Sequence, residues 1–266
     1  MTNEQRPLIP VNPHGLEDIA AGLLNQQTNI SNTPNTALGD LPEIVKRNPK
    51  NYILVPEKNV VIAIRQEYNG LNWEDAIKTI SRDRLKLPRI DEFMQHFLNL
   101  KEAANGRKGL VYADGSPVTK EQAMVNWNYV SSRDRSPYSN QAFWTWMDAQ
   151  FKETSKGLEL HTDHKVDSRN AIRSNSGTKL GNDYLGSNDF ADIPPFNPQG
   201  LPKVKSTDSQ YVQGKNIYFW KPVKDKVAGF NAGSYWTGLN CGRDASFVGS
   251  HLGVLACAAG VAPKNN

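Results

Sequence analysis

The chain has 266 residues, 38% apolar and 22% charged, the balance of a globular protein long enough to bury a sizeable core. Its formal charge of +4 is slight and its 31 Lys and Arg are interleaved with 27 Asp and Glu, so no clustered basic face points to nucleic acid. No stretch approaches the roughly 18 apolar residues of a membrane span, which argues against membrane insertion.

The first residues, MTNEQRPLIPVNPHG, lack the basic and apolar regions of a secretory signal, so delivery to an exterior surface is expected by another route, such as incorporation into a particle. Leu16, Ile19, Ala20, Leu23 and Leu24 recur at helical spacing, with Glu17 and Asp18 in the first turn, and predict a short amphipathic helix. Residues 25–35 are rich in Asn, Thr and Gln and read as a linker. Residues 1–45 are therefore expected to form an appendage, and residues 46–266 the main domain. In that domain, Tyr52-Ile53-Leu54-Val55 and Val60-Val61-Ile62-Ala63-Ile64 flank Pro56-Glu57-Lys58-Asn59 and predict a hairpin. Asn72 is the expected N-cap of a helix through Ile80. A second helix is predicted from about Ile90 to Ala104, stopped by Asn105-Gly106, with Phe93, Phe97 and Leu100 on one face.

The middle of the chain reads as irregular and aromatic: Trp127, Tyr129, Tyr138, Phe143, Trp144, Trp146 and Phe151 fall where periodic runs are few, and they are expected in the core. Residues 167–210, full of Ser, Asn, Gly and Pro, read as a long ordered or functional excursion. Strands return at Asn216-Ile217-Tyr218-Phe219-Trp220, Val227-Ala228-Gly229-Phe230 and Leu252-Gly253-Val254-Leu255-Ala256. This order predicts an α+β fold in which N- and C-terminal strands meet in one antiparallel sheet.

Chemistry-bearing patterns are sparse. His161-Thr162-Asp163-His164 is the one histidine cluster, and it reads as a polar strand or turn because no third metal ligand stands at a recognisable spacing. Glu74-Asp75 and Asp91-Glu92 sit early in predicted helices, where capping and the helix dipole account for them. Phosphate-binding glycine loops, nucleophile elbows and His-Glu-x-x-His are missing from the sequence. No catalytic residue, metal or cofactor is expected. Cys241 and Cys257 are read as reduced, half-buried apolar residues, with a bridge between them left open.

Several segments resemble known proteins. Asn72-Trp73-Glu74-Asp75-Ala76 with Leu87-Pro88-Arg89-Ile90-Asp91-Glu92-Phe93 resembles the beginning of C-type lectin-like domains of prokaryotes and viruses. Val227-Ala228-Gly229-Phe230-Asn231-Ala232, Leu239-Asn240-Cys241 and Leu252-Gly253-Val254 are similar to the end of variable proteins made by diversity-generating retroelements, particularly the archaeal and archaeal-virus group. The stretch from Ser136-Pro137-Tyr138 to Phe151 also resembles that group's middle. The resemblance covers about residues 51–258. It implies a C-type lectin-like α+β domain with two helices, an antiparallel sheet and a long loop-rich middle.

It also implies that error-prone reverse transcription at template adenines rewrites codons in about residues 227–258, most often AAC. Randomising the first two positions of AAC never yields Lys, Gln, Glu, Met or Trp. None of the first four occurs between Lys226 and Lys264, although they make up about one residue in six of the chain. A buried Gly- and Ala-rich strand pair would show a similar depletion, and Trp236 lies outside that codon's reach.

Val227, Phe230, Leu239, Leu252, Val254 and Leu255 are expected to anchor strands. Asn231, Ser234, Tyr235, Trp236, Thr237, Asn240, Arg243, Asp244, Ser246, Phe247, Val248, Ser250 and His251 are the expected ligand-binding positions, an adaptable mixture of aromatic and small polar residues. The implied activity is recognition of a protein or glycan on a target cell, from a virion tail or cell surface. A homo-oligomer or larger particle would raise weak single-site affinity through multivalency. Rival readings are a formylglycine-generating-type enzyme with a reactive cysteine pair, a calcium-dependent lectin, and a structural virion subunit. The calcium-binding triplets Glu-Pro-Asn, Gln-Pro-Asp and Trp-Asn-Asp are missing.

Overall fold

In a computed structural model, residues 40–131, 143–233 and 236–260 are described. The chain divides into two units, Met1–Asn35 and Thr36–Asn266, and every described residue belongs to the second. The helix expected at residues 16–24 and the Ser136-Pro137-Tyr138 stretch lie outside the described residues. The fold is α+β.

The domain begins earlier than residue 46. Leu41, and Val45 of helix α1 (Glu43–Arg47), are fully buried in the core, because the turn before the first hairpin carries their side chains under it. The expected hairpin forms as β1 (Tyr52–Val55) and β2 (Val60–Ala63), with Asn59 in the left-handed conformation at its turn. Helix α2 (Trp73–Ser81) starts at Asn72, whose side chain accepts the Asp75 N–H at 2.8 Å and donates to the Asp75 carboxylate. Helix α3 (Ile90–Ala104) runs as predicted, with the Glu92 carboxylate accepting the Arg89 N–H at its start and Gly106 at φ +72° past its end.

A third long helix, α4 (Lys120–Ser131), was not anticipated. Its apolar face is interrupted by Asn126, which weakens the periodicity. A local signal was nevertheless present in Thr119-Lys120-Glu121-Gln122: Thr119 Oγ accepts the Gln122 N–H, and the Gln122 side chain accepts the Thr119 N–H. Between α3 and α4 lies a short ribbon, β3 (Leu110–Val111) with β4 (Pro117–Val118).

The aromatic middle is a strand rather than irregular chain. Strand β5 (Phe143–Thr154) is buried on both faces over most of its length, so it carries no polar–apolar alternation to read. It pairs with β6 (Gly157–Val166), which pairs with β7 (Ile172–Lys179). Strand β7 has the sequence IRSNSGTK and is mostly exposed, so its residues carry none of the apolar content by which strands are recognised. The rest of the large sheet comprises β8 (Asp189–Asp192), β9 (Asn216–Trp220), β10 (Val227–Ala232), β11 (Thr237–Arg243) and β12 (Leu252–Gly253). Its order is β7-β6-β5-β10-β11-β9-β8, with β12 beside the start of β5. The β9–β11 and β5–β12 pairs are parallel, so the sheet is mixed.

N- and C-terminal strands do meet, but in a separate small sheet. Strand β13 (Cys257–Ala259) adds to β2 antiparallel, giving the order β1-β2-β13. The expectation of one sheet fails because the apolar run at residues 252–256 is divided: its first part pairs with β5, and its end, with the residues after it, reaches β2.

Helices α3 and α4 cover one face of the large sheet. Phe230 of β10 lies 4.7 Å from the Phe93 ring and 5.3 Å from the Phe97 ring, and Phe97 meets Trp127 edge-on at 4.8 Å. Trp127, Phe143, Trp146 and Phe151 are buried as expected, and Tyr129 and Trp144 are partly buried against the same core; Tyr138 lies outside the described residues.

The same core encloses one titratable ring without compensation. His96 of α3 is buried, and its Nδ1 has no hydrogen-bond partner among the described residues. Burial pulls its pKa down to about 4, because the charged ring would be desolvated. The folded pKa is thus below the unfolded value of about 6.5. The unfolded chain binds the proton first, so the contribution is complete above that value and is lost as pH falls toward 4. Stability of the wild type is expected to drop by about 3 kcal/mol more than that of His96→Leu between pH 7 and pH 4. Urea unfolding of both proteins across that range reads the difference, and parallel curves would refute it.

Candidate functional site

The side of the large sheet opposite the helices is where the C-terminal region is displayed. Strand register sets which side chains share it. Trp144 of β5, Asn231 of β10, Gly238 of β11 and Tyr218 of β9 are direct partners across four strands, as are Trp146, Gly229, Asn240 and Trp220 one step along. The alternate positions, Thr145, Phe230, Leu239 and Phe219, point into the core. The expected anchors Val227, Phe230, Leu239, Leu252, Val254 and Leu255 are all buried.

Gly238 forms part of the floor of this face, and Gly253 sits against the seam beside it. A Cβ on Gly238 would lie 2.6 Å from the Tyr218 carbonyl oxygen and 2.8 Å from the Trp220 ring. A Cβ on Gly253 would come within 2.3 Å of Asn69 and 2.6 Å of Gln66. At Gly238 the obstacle is the backbone of the neighbouring strand, so glycine is required there; at Gly253 it is the Gln66 and Asn69 side chains, which a Cβ would displace.

The thirteen expected binding positions separate into groups. Trp236, Asp244, Ser246, Phe247, Val248, Ser250 and His251 are exposed, and Asn240 and Arg243 are half-buried. Ser234 and Tyr235 lie outside the described residues. Two expectations need correction. Thr237 is fully buried, with its hydroxyl donating to the Ser131 carbonyl at 3.0 Å, because its register position faces the helices. Asn231 is also buried, at 7% exposure, in the middle of the sheet, where neighbouring strands leave its amide little access to solvent.

Beyond β11 the chain crosses the surface from Asp244 to His251 before returning as β12. Main-chain bonds hold this loop. The Trp73 N–H donates to Ala245 O at 3.1 Å, the Gly70 N–H to Leu252 O at 2.8 Å, and Glu67 and Val254 exchange two bonds of 2.8 Å. The Gln66 side chain completes the seam: its Nε2 donates to His251 O at 2.6 Å and its Oε1 accepts the Trp144 N–H. Trp73 is itself fixed, since its indole donates to Met147 O at 2.8 Å. None of these bonds uses a side chain of residues 244–251.

Two aromatic groups frame the face. Tyr218, Trp220 and the exposed Trp236 lie together, with centroids 4.5–6.4 Å apart. At the other end, the Arg243 guanidinium lies 4.3 Å from the Trp144 ring centroid and 4.8 Å from that of Phe247. Tyr218, Trp220 and Trp144 precede the C-terminal region, and sequence reasoning did not assign them here because register alone brings them to it. Asp244 receives Lys226 at 2.8 Å and the Ser246 hydroxyl at 2.8 Å; these bonds hold its carboxyl well below the usual range.

The histidine cluster does not gather ligands. Among the described residues no group of three or more His, Cys, Asp or Glu side chains could hold a metal ion. His161 contacts Glu159 at 3.3 Å. His164 is buried on β6: its Nδ1 lies 2.5 Å from an Asp148 carboxylate oxygen, its backbone N–H also donates to Asp148, and Trp73 meets the ring edge-on at 4.9 Å. The pair joins β5 to β6 and is enclosed. Cys241 and Cys257 are both free and fully buried, in different sheets, and burial pushes both thiols up.

No protein family, curated protein or solved structure matches the chain.

Proposed function

We propose that this chain is a ligand-display protein on a C-type lectin-like domain, with a C-terminal region diversified by a retroelement to bind varied targets. Its ligand is a protein or glycan on a target cell, and it works from a virion tail or cell surface by shape and hydrogen-bond complementarity. The observation that carries this reading is the anchoring of residues 245–251 to the scaffold through main-chain atoms and through Gln66, while their side chains at five positions are exposed; Asp244, where the loop begins, is tied by its carboxylate to Lys226 and Ser246. A surface that changes freely needs a scaffold indifferent to it. The absence of Lys, Gln, Glu and Met between Lys226 and Lys264 agrees with AAC-type diversification.

The formylglycine-type alternative is disfavoured by the thiols. A reactive cysteine needs access and a thiolate, and both sulfurs are enclosed with raised pKa.

Sequencing the DNA around the gene tests the proposal. The expected result is a near-copy of the region, differing at adenines, beside a reverse transcriptase. Differences between copies should fall on codons for exposed positions such as Ser246, Phe247, Val248, Ser250 and His251, and spare Gly238. A gene with no such template nearby would overturn the diversification reading.

A further inference from the structure

Arg243 is held in an unusual way for a charged side chain. The Trp144 and Phe247 rings lie against its guanidinium on adjoining sides, at 4.3 Å and 4.8 Å, with their own centroids 6.1 Å apart. It is half-buried, yet among the described residues it makes no ion pair. The neighbouring acid does not neutralise it, because Asp244 is engaged by Lys226 and Ser246. Burial without a carboxylate draws its pKa down. A guanidinium flanked by rings on adjoining sides keeps N–H donors on its remaining side, in a fork that matches a carboxylate in two parallel bonds. Stacking has already fixed the side chain, so a partner carboxylate need not order it.

We propose that the present version of this surface recognises a protein partner through a carboxylate, an Asp or Glu side chain seated on the Arg243 edge. This rests on the display reading above. Two features favour a protein over an acidic glycan. Phe247 and Val248 protrude beside Arg243 at 38% and 57% exposure, offering apolar contact that suits an aliphatic or aromatic neighbour of the acid. Aromatic side chains with an arginine are also the composition of protein–protein hot spots. Charge complementarity sets the polarity: an acid on the partner meets the uncompensated cation here.

The test is to pan a random peptide library against the full chain and measure binding of the enriched peptides to variants. The expected result is enrichment of Asp or Glu next to an apolar residue. Arg243→Gln should weaken binding by about 10-fold to 100-fold, and Arg243→Lys, which keeps the charge and loses the fork, should recover only part of it. Raising salt from about 0.1 M to about 1 M should weaken the wild type and leave Arg243→Gln nearly unchanged. Thermal melts run alongside separate a folding defect from lost recognition, and Arg243→Lys carries the comparison if Arg243→Gln melts early. Enriched peptides without an acid, equal binding by Arg243→Gln, or binding only to acidic glycans on an array would each overturn the inference. So would failure to enrich any peptide. Absence of a retroelement template would remove the diversification reading and leave this result standing, so the two fail separately.

Discussion

Replacing Phe230 by alanine is expected to cost about 3–5 kcal/mol of stability, the range for deleting a buried aromatic side chain. Its ring is 1% exposed and sits against Phe93 at 4.7 Å, Phe97 at 5.3 Å and Phe143 at 6.4 Å, joining the sheet to α3. Three packed neighbours on two elements cannot collapse together into the space left. Val248, eighteen residues later, should behave oppositely. It is 57% exposed and its segment is held by main-chain bonds, so Val248→Ser should stay within about 0.5 kcal/mol of the wild type. Chemical denaturation of the two variants reads both numbers. Equal losses would show that scaffold and loop are not separable, and the display role would lose its physical basis.

The second large effect belongs to Asp148. Asp148→Ala is expected to cost about 3–5 kcal/mol, because it leaves the His164 ring nitrogen and backbone N–H unpaired inside the protein. The two side chains are 3% and 2% exposed, so water does not readily replace the lost partner. Removing the ring as well should relieve part of the penalty: Asp148→Ala with His164→Leu should cost less than the sum of the single changes. Unfolding midpoints of the four proteins complete the cycle. Strict additivity would show that the pair contributes nothing as a pair.

Legibility of this chain divides by physical range. The hairpin at Tyr52, the cap at Asn72 and the helix ended by Asn105-Gly106 were all readable, because capping, turn chemistry and helical periodicity act within a few residues. The anchors Phe230, Leu239 and Val254 were readable as buried apolar residues. Strand β5 was not, since burial on both faces erases alternation, and neither was β7, whose exposed polar residues look like a loop. The division of the tail between two sheets depends on partners about 100 and 200 residues earlier in the chain, a distance at which no local pattern carries information.

The proposed binding face shows the same division. The resemblance marked residues 227–258 as a candidate region, and the sequence there supplies aromatic and small polar side chains. Tertiary structure decided which of them point outward. Alternation along β10 places Asn231 on the outer face, yet neighbouring strands bury it; along β11 it places Thr237 on the inner face, where its hydroxyl meets the Ser131 carbonyl. Packing likewise placed Trp144 and Phe247 around Arg243, and it set Gln66, 185 residues away, to hold the His251 carbonyl. The sequence by itself determined which residues are able to anchor and which are able to bind. Strand register, which couples positions far apart in the chain, decided which of them do so together.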